Sequence, residues 1–214
     1  MQEIKKFDSF AELAKELAPG LGGLTVLSGG STLPPLIQAF SELGALNGKT
    51  TWTWNDERLV SYDDSGSNFG TVRDLLGNDD LVPLPFADDQ EMAAGYMQSI
   101  SEGKLPEADL LLLGFGDDGH IASLFPGSEA LETEGQEADW LVRATASYEP
   151  KERWSWTMNA LTGSKKTVVL FKGSLESAKG KILQEALEDP NCDYPLARYL
   201  RSTTGEVLVC QVDA

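Results

Sequence analysis

Histidine occurs once in this 214-residue chain and cysteine only twice. A single imidazole with scattered carboxylates supplies no recognisable ligand set, so no metal site is expected. Cys192 and Cys210 form no CxxC pair, which points to two reduced structural thiols rather than a disulfide framework. Basic side chains are also scarce: 17 against 34 acidic ones leave a formal charge of -17. Such a field opposes a broad nucleic-acid or anionic-membrane surface. No apolar run approaches the roughly 18 residues of a bilayer span. Residues 1–6 lead into an acidic amphipathic segment, not into a signal-peptide core. The expectation is a cytoplasmic protein with neither nucleic-acid nor membrane partners.

What is present has globular proportions, 41% hydrophobic and 24% charged, well above the apolar content of disordered chains. With no linker, repeat or composition break, residues 1–214 read as one domain. Ser9 and Glu12 have capping-box spacing, and Phe10, Leu13, Ala14 and Leu17 then recur at helical intervals. Pro34 and Pro35 suit only the first turn of a second helix. Strands are expected at 24–27, 50–54, 110–113, 167–171 and 206–212, and further helices at 88–100 and 175–187. The acidic, poorly patterned stretch 128–139 reads as a surface excursion. Continuous apolar strands separated by helices predict an α/β fold, Rossmann-like and three-layered, with a mainly parallel sheet flanked by helices. Ligands of such sheets bind outside the carboxyl ends of the strands.

Three loops therefore matter. Ser28-Gly29-Gly30-Ser31-Thr32 joins a strand to the proline-marked helix. Its glycines allow close backbone approach and its helix start attracts anions, although an ordinary turn with a Ser/Thr cap has the same composition. It is no Walker loop, because GxxxxGK(S/T) is absent. Asn55-Asp56-Glu57-Arg58 follows the second strand. Arg58 could clamp a phosphate and Asp56 accept a sugar hydroxyl, or the segment could be a solvated ion pair. Trp52 and Trp54, just upstream, suit packing better than sugar stacking.

The third loop, residues 114–127, opens with a GxGxxG spacing. A dinucleotide site is rejected, since Asp117 and Asp118 would face a pyrophosphate with like charge and Pro126 allows little helix. What remains is His120, glycine-lined, with Asp118 two residues before it. Imidazole suits proton transfer near neutrality. Arg153 and Lys179 could supply the local positive charge that an anionic ligand needs on so acidic a chain, while Lys181 reads as solvated surface.

Taken together, these loops resemble those of 6-phosphogluconolactonases, whose pattern runs SGGSTP, then DER, then LGxGxDGHTASLFPG. Ser67-Asn68-Phe69 resembles that family's SNY, Arg153 to Leu161 its R-x-T-x-T…N-A-L, and Tyr194-Pro195-Leu196-Ala197 its YPAA. Ile121 replaces a threonine, Leu33 is inserted before the proline, and Tyr148-Glu149-Pro150-Lys151 stands where paired prolines are usual. The resemblance implies the glucosamine-6-phosphate deaminase/ribose-5-phosphate isomerase/CoA-transferase-like fold and hydrolysis of a phosphorylated sugar lactone without cofactors, by a monomer or small homo-oligomer. It implies His120 and Asp118 as the catalytic pair. Gly29, Gly30, Ser31, Thr32, Asp56, Arg58, Arg153 and Lys179 would bind substrate, with loop N–H groups of residues 114–119 or a neighbouring arginine at the oxyanion. Glucosamine-6-phosphate deaminases share the fold and a GHIA sequence but place a glutamate where this chain has Phe125, and a tyrosine where it has Arg58. A non-catalytic sugar-phosphate sensor is the third reading.

Overall fold

The computed structural model describes residues 3–77, 79–102, 104–135 and 139–213. Seven strands lie parallel in one sheet. In spatial order they are β1 (Ile4–Phe7), β10 (Glu206–Val212), β9 (Lys166–Lys172), β6 (Leu110–Leu113), β2 (Gly23–Leu27), β3 (Thr50–Trp54) and β5 (Asp80–Leu81). A second, antiparallel sheet of β4 (Asp56–Arg58), β8 (Glu152–Trp156) and β7 (Leu141–Thr145) stands at its carboxyl edge. The helices are α1 (Phe10–Leu17), α2 (Leu33–Glu42), α3 (Asn68–Leu76), α4 (Gln90–Ser101), α5 (Glu129–Glu132), α6 (Met158–Thr162), α7 (Ala178–Glu188) and α8 (Pro195–Ser202). None of them is long and apolar enough to cross a membrane.

The expected parallel sheet is present, and its pattern explains its middle. All four leucines of β6 are buried, as a strand covered on both faces requires. Trp52 and Trp54 lie in the core, with Trp52 Nε1 donating to Asp79 Oδ2 at 2.8 Å. Packing is their role. β2 leads through α2 to β3 on one side, while β6, its other neighbour, leads away toward β9. Loops leaving adjacent strands in opposite directions open a crevice between them, and the site lies there.

Three expectations need correction. The helix expected from 175 begins at Ala178, because Ser177 caps it, accepting from Gly180 N at 3.1 Å. Residues 128–139 are not wholly an excursion: Ser128 caps α5, whose Ala130 and Leu131 are buried. Residues 136–138 of that stretch lie outside the described residues. The second sheet was not foreseen, since its strands carry buried polar side chains, Asp56, Glu57, Arg153 and Ser155, that break any alternating pattern. Leu112→Ala, in the middle of the buried β6, is expected to cost about 2–5 kcal/mol, read as a lower urea midpoint at unchanged slope.

Candidate active site

The three strand ends are stitched together before any ligand is considered. Ser28 N donates to Leu112 O at 3.0 Å, and Asn55 N to Leu27 O at 2.8 Å. Ser28 Oγ accepts from Asn55 Nδ2 at 2.8 Å and from Gly114 N at 3.0 Å. The glycine loop beyond Ser28 has two strict requirements. Gly30 sits at φ +95, open only to glycine, and a Cβ on Gly29 would lie 2.0 Å from Asn68 Oδ1. Thr32 is the N-cap of α2, yet its side chain makes no capping bond. Pro34 and Pro35 have no N–H to offer an anion. The donors left for one are therefore the backbone upstream of the prolines and the hydroxyls of Ser31 and Thr32.

In β4, the two carboxylates part company. Glu57 is fully buried and accepts from Arg58 N and Asn68 N (both 2.7 Å), Phe69 N (2.8 Å) and Ser67 Oγ (3.0 Å). Burial pushes its carboxyl up from the usual range despite those four donors. It fastens the start of α3 and is structural. Asp56, also buried, faces the cleft. Its Oδ1 accepts from Asn68 Nδ2 at 3.0 Å, its Oδ2 from Ser123 Oγ at 2.6 Å, and Arg153 Nη1 stands 3.8 Å from Oδ2. The expected sugar hydroxyl would find both oxygens already engaged, so Asp56 acts first by holding its neighbours.

Arg58 does not form the surface ion pair considered above. Among the described residues no carboxylate lies within 4 Å of it; Nη1 donates to Gly66 O at 2.5 Å and Nε is buried without a partner. Arg153 is similar: Nε donates to Pro150 O at 3.2 Å, and Nη2 is buried and unpartnered. Burial depresses the Arg153 pKa, even with Asp56 opposing it.

No helix follows β6 until α5, in agreement with the rejection of a dinucleotide site. The loop instead folds back on itself, Gly116 N donating to His120 O at 2.9 Å and Gly119 N to Gly116 O at 3.1 Å. His120 Nδ1 meets Asp118 Oδ1 at 2.5 Å, and the same oxygen accepts from His120 N at 3.1 Å. The imidazole packs against Phe125, ring centroids 4.6 Å apart. Gly116 has no room for a side chain, since its Cβ would lie 2.1 Å from His120 Cε1. From α8, Leu196 N donates to Gly119 O at 3.0 Å, and the Tyr194 side chain packs where Gly119 would carry a Cβ.

A cleft of about 210 Å³ collects Gly29, Gly30, Ser31, Thr32, Asp56, Arg58, His120, Arg153 and Lys179. Lys179 is brought in by the first turn of α7, its Nζ 4.9 Å from the centroid of Phe115. Burial lowers its pKa, against the pull of Asp117. Lys181 is exposed. Asp118 stands behind the imidazole, in an adjoining depression that shares His120, Tyr148 and Lys179 with the cleft. The oxyanion expectation is narrowed. The N–H groups of Gly114, Gly116 and Gly119 are committed to Ser28 Oγ, His120 O and Gly116 O, which leaves those of Phe115, Asp117 and Asp118 and the cationic side chains. Two polar lining residues escaped sequence reading as binding groups: Ser28, though it sits within the quoted motif, and Tyr148, for which a turn offers no signal.

Fold and cleft together define an α/β protein with a cation-lined cleft beside its lone imidazole at the carboxyl edge of its parallel sheet. The family profile of glucosamine-6-phosphate isomerases/6-phosphogluconolactonase matches residues 11–209. A 6-phosphogluconolactonase of Synechocystis is 32% identical over 211 residues, covering 92% of this chain and 84% of that one. Among solved structures, a 6-phosphogluconolactonase of Shewanella baltica superposes with a TM-score of 0.82 at 24% identity, covering 99% of this chain and 98% of the other. A monomeric glucosamine-6-phosphate deaminase gives 0.75 at 20% identity, covering 99% and 97%; at these identities both show the shared fold. The chain belongs to the glucosamine-6-phosphate isomerase/6-phosphogluconolactonase family.

Two tests follow from this geometry. Burial raises the Asp118 carboxyl, but the charge and hydrogen bonds of His120 outweigh it and hold the group below the usual range. In His120→Ala only burial and lesser bonds remain, so the Asp118 carbon-13 titration midpoint is expected to move upward; an unmoved midpoint would refute the pairing. Gly116→Ala is expected to displace the ring, seen as a shifted imidazole NMR signal that is unambiguous in a chain with one histidine.

Proposed function

We propose that this chain hydrolyses 6-phospho-D-glucono-1,5-lactone to 6-phosphogluconate, the second step of the oxidative pentose phosphate pathway. The observation that carries this reading is the pairing of an Asp118-held imidazole with a separate anion cradle in one cleft. The glycine loop, with Ser31 and Thr32, holds the phosphate, and the unpartnered donors of Arg58 and Arg153 add charge. Two buried guanidinium donors lacking partners are costly, and an entering phosphate removes that cost.

With Nδ1 turned to Asp118, the Nδ1–H tautomer is favoured and Nε2 keeps its lone pair. Nε2 takes a proton from water, the hydroxide adds to the lactone carbonyl, and the imidazolium returns the proton to the departing ring oxygen. With Arg58 and Arg153 engaged by the phosphate, the negative charge of the tetrahedral intermediate falls to Lys179 and to the uncommitted N–H groups of the loop. General acid–base help of this kind supplies roughly 10²–10⁴-fold, and a strained ester ring asks for little more than positioning besides. The chemistry calls for neither a metal nor an organic cofactor.

The deaminase alternative needs a second acid near the histidine for sugar-ring opening. Phe125 supplies an apolar ring at that place, packed against His120 and buried. A sensor would bind without turnover, and it would have no use for an oriented imidazole. In a coupled assay fed with freshly generated lactone and corrected for spontaneous opening, His120→Ala is expected to lose about 10²–10⁴-fold in kcat, with KM changed only a few-fold. Wild-type protein that binds 6-phosphogluconate but fails to open the lactone would instead establish a sensor.

A further inference from the structure

Tyr148 lies in the turn joining β7 and β8, where this chain departs from the paired prolines of its family's pattern. The residue is 46% exposed, but its ring is not idle surface. Arg153 Cζ lies 5.0 Å from the Tyr148 centroid and 5.6 Å from that of Phe125. The two rings meet edge to face, 6.1 Å apart at 89°. The guanidinium thus occupies a corner between a buried ring and a solvent-facing one. The same turn supplies the Pro150 carbonyl that accepts from Nε, while Asp56 stands opposite Nη1. Only 2% of the Arg153 side chain reaches solvent, and Nη2 has no partner. Tyr148 also lines both the cleft and the adjoining depression.

We propose that Tyr148 is a positioning residue for anion binding, acting through Arg153: its ring covers the solvent side of the guanidinium and keeps the unpartnered Nη2 dehydrated beside the cleft. This rests on the reading of the cleft as a phosphate site. A cation that enters the encounter already stripped of water and fixed in orientation binds an anion without first giving up hydration or rotational freedom. The ring face supplies the larger part of the effect, because attraction between a guanidinium and an aromatic belongs to the π-system; the Tyr148 hydroxyl, whose hydrogen bond opposes the fall in the Arg153 pKa, supplies the smaller part.

Calorimetric titration with inorganic phosphate separates the possibilities, using wild type, Tyr148→Phe and Tyr148→Ala. Being half-exposed on a turn, the side chain can be shortened without opening the core. The Phe variant is expected to bind within about twofold of wild type and the Ala variant about five- to tenfold more weakly. With the phosphorylated lactone, Ala should raise KM by a similar factor and leave kcat within about twofold; a merely structural lesion would lower both. Ala binding phosphate as tightly as wild type, or Phe binding as weakly as Ala, would overturn the proposal. The titration involves no turnover, so it answers separately from the lactonase assay.

Discussion

The cleft depends on one buried carboxylate. Asp56 sits where the parallel sheet hands over to the antiparallel one, and it ties together three of the segments that build the site. Asn68 comes to it from α3, Ser123 from the histidine loop and Arg153 from β8. Asn68 in turn fills the space above Gly29, so the glycine loop is set by the same network. A carboxylate this deep must be hydrogen-bonded on both oxygens or the fold suffers. That necessity is what fixes three sequence-distant segments in register with one another.

A second constraint is electrostatic. The chain as a whole carries -17, a field that repels a phosphorylated ligand at long range. At the carboxyl edge the balance reverses, with Arg58, Arg153 and Lys179 converging on one cleft and Asp56 the carboxylate lining it. Because Arg153 is buried, its interactions are screened less than those of a surface pair. Depressed basicity in Arg153 and Lys179 records the same desolvation. A guanidinium stays charged across the working range of any such enzyme. Lys179 is therefore the cation whose charge is more open to adjustment.

Much of the architecture was legible because parallel strands buried on both faces read as continuous apolar runs, and 110–113 with its four leucines is the clearest of them. The loop residues were legible for another reason: glycines and a lone histidine at strand ends have few structural excuses for being there. The antiparallel sheet was not, since Glu57, Arg153 and Ser155 are buried through polar contacts made outside their own strands, and no local period reports that. Nothing in the sequence separates Glu57 from Asp56 beside it; only the fold reveals that three donors at the start of α3, with Arg58 N, consume it. Tyr148 was invisible for the opposite reason, as an exposed aromatic in a turn acquires meaning only when a guanidinium lies beneath it.

The family fold supports both sugar isomerisation and lactone opening, so the fold cannot choose between them. The choice falls to what surrounds the imidazole. An isomerase must move a proton between carbons and open a ring, which takes two proton-transfer groups at separate points. Lactone hydrolysis asks one group to take a proton from water and hand it to an oxygen a bond or two away. A single histidine braced by Asp118 on one side and by the apolar ring of Phe125 on the other meets that second requirement. Phe125 reaches further, because the ring that packs on the imidazole also walls Arg153. One aromatic side chain thereby packs against both the imidazole and the guanidinium that line the cleft.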